Sequence, residues 1–63
     1  MTKLTCTDKS NQDFIAFINQ DQICFIKPMS AVYENLKHMA DWSVLYFTNG
    51  EKLFVKPENN IFK

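Results

Sequence analysis

The stretch that decides the fold is SVLYFTNGEKLFVK, at residues 43–56. Asn49-Gly50 lies between two runs rich in β-branched and aromatic residues, and this is the strongest short-range signal of a β-hairpin. A two-residue loop at Asn49-Gly50 pairs Leu45 with Phe54. Side-chain alternation then predicts two faces: a core face of Val44, Tyr46, Leu53 and Val55, and a mixed face of Leu45, Phe47, Phe54, Lys52 and Lys56.

A second hairpin is predicted upstream, from FIAFI at residues 14–18 to ICFIK at residues 23–27. The polar turn at residues 19–22 would pair Ile18 with Ile23. In this pairing both faces are apolar, as in strands that are covered on both sides. One face carries Phe14, Ala16, Ile18, Ile23 and Phe25, and the other carries Ile15, Phe17, Cys24 and Ile26.

The remaining segments predict a short strand, a short helix and a terminal turn. Leu4 and Cys6 alternate with threonines, which is typical of a strand. Residues 30–40 begin at Ser30, a residue suited to a helix N-cap, and carry apolar side chains at helical spacing. Pro57 suits the first turn of another short helix. The predicted order is therefore β-β-β-α-β-β, a mainly β (small α+β) fold with an antiparallel sheet of about five strands.

Length and composition favour a single domain that spans residues 1–63 and associates with itself. Domains of this size are near the lower limit for folding alone, yet 46% of the residues are hydrophobic and 14% are aromatic. One short helix does not cover two apolar sheet faces. Either the sheet curls into a small barrel, or a second copy of the chain covers the rest.

Charge and hydropathy argue against two classes of partner. Seven basic side chains balance seven acidic ones, so there is no general attraction to nucleic acid or to an anionic membrane. The apolar runs are too short to span a bilayer. The first residues turn polar at once, leaving no room for the apolar region of a signal peptide. We therefore expect a cytoplasmic protein.

The residues that carry catalysis are sparse, and the sequence predicts no enzyme, no cofactor and no metal site. His38 is the sole histidine, and Gly50, the sole glycine, is needed for the hairpin. Cys6 and Cys24 match no metal or redox spacing. We expect both to be reduced, buried core residues, with a disulfide or a metal role as the alternative.

Two stretches, FIAFINQDQICFI and SVLYFTNGEKLFVKPE, together with the opening MTKLT, resemble the FlbD-like small bacterial proteins. The resemblance covers about two-thirds of the chain. It implies a compact β domain that associates with itself or with another protein, and it brings no catalytic residues.

Two functional hypotheses follow. The first is a homo-oligomeric structural or protein-interaction module, whose candidate interface consists of Ile15, Phe17, Leu45, Phe47 and Phe54. The alternative is a small accessory protein that binds RNA or single-stranded DNA, with Phe47 and Phe54 stacking on bases beside Lys52 and Lys56.

Overall fold

A computed structural model describes residues 1–62, and within this range the chain is mainly β. Five antiparallel strands form two sheets, which confirms the predicted antiparallel β class. The strands are β1 (Thr2–Thr7), β2 (Asp13–Ile18), β3 (Ile23–Pro28), β4 (Ser43–Phe47) and β5 (Lys52–Val55). One sheet contains β1 and β2, and the other has the order β3-β4-β5. The strands do not form one five-stranded sheet or a closed barrel.

The predicted pairing of β2 with β3 is wrong, because β2 pairs with β1. The loop between β1 and β2 explains the difference. The Asp8 carboxylate accepts hydrogen bonds of 2.9 Å from the backbone N–H groups of Ser10 and Gln12. Asn11 takes a positive φ of 64°, a conformation that asparagine tolerates better than most residues. These two residues close a tight hairpin that brings Leu4 opposite Ala16.

The β4–β5 hairpin is confirmed, but its predicted register was wrong by one residue. Leu45 faces Leu53 and Val44 faces Phe54. The Phe47 N–H donates to the Glu51 carbonyl at 2.9 Å, so the loop has three residues. Gly50 has a positive φ of 91°, whereas Asn49 does not have a positive φ. A three-residue loop needs one left-handed residue, while the two-residue loop that we predicted needs two.

The shifted register changes which side chains share a face. The side of the three-stranded sheet that meets β1 and β2 is called the inner face, and the opposite side is the outer face. The inner face carries Leu45, Phe47, Leu53 and Val55, and the outer face carries Val44, Tyr46, Lys52 and Phe54.

The predicted helix at residues 30–40 is wrong, because two single turns of 3-10 helix, Met29–Ala31 and Lys37–Met39, take its place. The Met29 N–H donates to the Trp42 carbonyl at 2.8 Å. The two ends of the connector that joins β3 to β4, residues 29–42, are therefore held side by side. A ten-residue helix would carry the chain about 15 Å away in one direction, which is incompatible with that closure.

Two hydrophobic clusters hold the layers together. The first lies between the sheets and consists of Leu4, Cys6, Ile18, Leu45 and Val55. The second lies between the outer face and the connector, and consists of Met29, Met39, Trp42 and Val44. Trp42 is 8% exposed in this second cluster. A 3-10 turn at Pro57–Asn59 follows β5, where Pro57 predicted a short helical turn, and Phe62 then packs against the first cluster.

Candidate binding surfaces

The first candidate surface is the outward side of the β1–β2 hairpin, which we call the hairpin face: Lys3, Thr5, Asp13, Ile15 and Phe17. Alternation along β2 points Ala16 and Ile18 inward, so Ile15 and Phe17 point outward. Ile15 is 53% exposed and Phe17 is 65% exposed. Phe17 lies beside Lys3, and Ile15 lies beside Thr5. The face thus has an apolar centre.

The ends of the hairpin face carry opposite charges. Lys3 lies at one end and Asp13 lies at the other, next to Thr7 in the β1–β2 register. The Asp13 carboxylate accepts a hydrogen bond of 2.9 Å from the Thr7 hydroxyl, and it lies 3.7 Å from the Lys56 ammonium. These contacts fix the acidic end of the face.

The five candidate interface residues do not share one surface. Ile15 and Phe17 lie together on the hairpin face. Leu45 is fully buried between the sheets, and Phe47 packs against the same cluster. Phe54 packs on the outer face, in the second cluster. The one-residue error in register separates Phe54 from Leu45 and Phe47, and the pairing of β2 with β1 places Ile15 and Phe17 in the other sheet.

The second candidate surface is the exposed region of the outer face, which we call the aromatic–lysine face: Phe25, Tyr33, Tyr46, Phe54, Lys9, Lys27 and Lys52. Phe25 and Tyr46 are stacked, with ring centroids 4.6 Å apart and an interplanar angle of 29°. Tyr33 of the connector meets Phe54 edge to face at 5.9 Å. The face therefore combines strand and connector residues that are far apart in the sequence.

We predicted one nucleic-acid face that carries Phe47, Phe54, Lys52 and Lys56, and that grouping is wrong. Phe47 is on the inner face, and the Lys56 ammonium lies 5.6 Å from the centroid of the Trp42 ring. Only Lys52 and Phe54 remain together on the outer face. Phe25 and Lys27 of β3 and Lys9 of the first loop were visible in the sequence. The wrong strand pairing concealed that they lie close together.

The cysteines have different environments. Cys6 is buried, and burial raises the pKa of its thiol. Cys24 is exposed on β3, beside a shift in the β3–β4 register, so its predicted burial was wrong. As the edge strand of its sheet, β3 leaves this side chain uncovered. Both cysteines are free thiols.

A cleft of about 530 Å³ lies between the connector and the tail. Its lining includes His38, Asp41, Lys56 and Glu58, which mix both charges. No group of three or more potential metal ligands occurs among residues 1–62. The helical turns in these residues are also too short to cross a membrane.

Comparisons of the chain with protein-family models, with curated proteins and with solved structures found no match. The resemblance to the FlbD-like proteins therefore stays a prediction.

Proposed function

We propose that this protein is a non-catalytic interaction module that associates with a second copy of itself through the hairpin face. The observation that carries the proposal is the position of Ile15 and Phe17. These side chains are more than half exposed at the centre of a hairpin, where burying the exposed part of each would contribute about 1–2 kcal/mol.

The charges on the hairpin face favour a second copy as the occupant. If two copies stack with their hairpin faces in contact and are related by a two-fold axis, Lys3 of each copy can lie opposite Asp13 of the other. Such a surface is complementary to itself, as the symmetric contact of a homodimer requires. Because Asp13 already lies 3.7 Å from Lys56 of its own chain, each contact with Lys3 shares that carboxylate and adds at most about 0.2–1 kcal/mol, while it helps to set the orientation.

The size of the face supports a weak, reversible association. Six-residue strands are about 20 Å long, and two of them are about 10 Å wide. The resulting area of about 200 Å² is smaller than the standard interface of about 800 Å² per partner. The accessible surface of the chain is 4251 Å², close to the roughly 4,200 Å² of a folded monomer of this mass. A single copy therefore leaves about as much surface exposed as a typical monomer of its mass, and we expect dissociation constants in the micromolar range or above.

Sedimentation equilibrium between about 10 µM and 1 mM tests the proposal. We expect the average mass to rise above 7.4 kDa with concentration. Phe17→Glu should remain a monomer throughout, because it places a charge at the apolar centre of the interface. Phe25→Glu, a matched change on the aromatic–lysine face, should associate as the wild type does. A wild-type mass of one chain at every concentration would refute the proposal.

A further inference from the structure

We propose that the aromatic–lysine face binds single-stranded nucleic acid. The proposal does not depend on self-association, because the face lies on the outer side of the three-stranded sheet and shares no residue with the hairpin face. Three features support it: the placement of the lysines, the presentation of the rings and an adjoining groove.

The lysines lie over the aromatic rings in a repeated pattern. The Lys9 ammonium is 4.8 Å from the Tyr33 centroid and 5.9 Å from that of Phe54. Lys27 lies 5.2 Å from Phe25 and 5.8 Å from Tyr46. Lys52 lies 6.0 Å from Tyr33 and 5.9 Å from Tyr46. All six distances are within the range of about 6 Å over which an ammonium group is attracted to a ring, so three lysines and four rings share one surface.

No ion pair involving Lys9, Lys27 or Lys52 is found among residues 1–62, and the Asp8 carboxylate, which lines the groove beside Lys9 and Lys52, offsets only part of their positive charge. The one ion pair found among residues 1–62 joins Lys56 to Asp13, outside this face. Asp8 follows β1 directly and precedes Lys9, but its carboxylate accepts two backbone N–H groups of its own loop. A chain with zero net charge thus has a local cationic surface, which is suited to phosphate groups.

The rings are available for stacking. Phe25 is 48% exposed; its ring stacks on Tyr46, and the Lys27 ammonium, which an incoming base would displace toward a phosphate, lies 5.2 Å from its centroid. An unpaired base can lie on such a ring, and stacking contributes about 1–3 kcal/mol per base. The nearby lysines would then contact the phosphates on either side of that base.

A groove extends the face toward the first loop. It has a volume of about 220 Å³, and Lys9, Phe14, Lys52 and Phe54 contribute to its walls. Sites for small molecules usually measure about 300–1,000 Å³. A smaller groove between two lysines and two rings suits one base of a longer strand. A duplex keeps its bases stacked inside, so a single strand is the ligand that this surface favours.

Fluorescence anisotropy with labelled 15-nucleotide dT, rU and a DNA duplex tests the proposal. We expect saturable binding of dT or rU at low salt, and weaker binding of the duplex. The ratio of the dT and rU affinities decides between DNA and RNA. The salt slope is the change in the logarithm of the binding constant with the logarithm of the salt concentration. Three phosphate contacts give a slope of about −2, since each contributes about −0.7 on a single strand.

Two variants separate stacking from charge. Phe25→Ala should weaken binding by about 5- to 150-fold, the equivalent of one lost stack. Lys27→Gln should make the salt slope less negative by about 0.7. Phe17→Glu should bind the oligonucleotide normally, and this control separates the proposal from self-association. Trp42 fluorescence and circular dichroism would confirm that each variant is folded.

Three outcomes would overturn the proposal. The first is the absence of saturable binding of dT or rU at about 20 mM salt and 500 µM protein. The second is unchanged affinity in folded Phe25→Ala, which would show that the ring takes no part. The third is equal competition by polyglutamate, which would show a surface that recognises acidic peptides as readily as nucleic acid.

Discussion

Replacing Leu45 by alanine tests the β4–β5 register, which decides the inner and outer faces of the three-stranded sheet and thereby the aromatic–lysine face. In the observed register, Leu45 faces Leu53 and is fully buried between the two sheets. Truncating a buried leucine to alanine costs about 2–5 kcal/mol, including the cavity that remains. A folded chain of this length has a total stability of roughly 3–9 kcal/mol. Leu45→Ala should therefore remove a large fraction of the stability and lower Tm by roughly 10–30 °C.

Ile15→Ala is the matched control, because it removes the same number of carbon atoms from a strand residue that is exposed. We expect it to cost about 1 kcal/mol or less. Urea unfolding can be followed through Trp42, the one tryptophan, which is buried in the second cluster. A concentration of about 1 µM keeps self-association from adding to stability. Equal losses for the two variants would refute the register and the division into two faces.

Four further outcomes are expected. Gly50→Ala should lower the free energy of unfolding by about 1–2 kcal/mol, because Gly50 has a left-handed φ. Asn49→Ala should cost less, because it loses one exposed hydrogen bond from the Glu51 N–H. Equal costs in urea unfolding would favour the two-residue loop. Asp8→Ala should cost about 1–2 kcal/mol, because two loop N–H groups lose their acceptor, and an unchanged urea midpoint would contradict this. An aromatic disulfide reagent should modify Cys24 quickly and Cys6 only after unfolding; two equally fast thiols would count against the fold. Burial raises the pKa of the Cys6 thiol. The stability that the protonated thiol contributes is therefore complete below the unfolded thiol pKa and is lost as pH rises through the folded pKa. Cys6→Ala should flatten this decline in stability at alkaline pH.

The sequence was sufficient to predict the strands, because their signals are local. Alternation located β1, apolar runs located β2 and β3, and Asn49-Gly50 located the last hairpin. Pairing and register depend on turn geometry, and there the predictions failed. Asp8 and Asn11 form a turn that competes with the polar segment after Ile18, and no local pattern ranks one turn above the other.

The connector shows a second limit of local signals. Its apolar residues have helical spacing, yet the hydrogen bond between Met29 and Trp42 requires the chain to return to its start. Packing of Met29 and Met39 on the sheet then determines the turns. The aromatic–lysine face could not be predicted for a related reason. It combines Lys9, Lys27, Tyr33 and Lys52, which only tertiary structure brings together.

Self-association through the hairpin face is tested most directly by following backbone amide chemical shifts between about 50 µM and 1 mM protein. We expect concentration-dependent shifts at Lys3, Thr5, Asp13, Ile15 and Phe17, with the connector unchanged and with no shifts in Phe17→Glu. Spectra that do not change with concentration, or shifts centred on the aromatic–lysine face, would contradict the proposed interface.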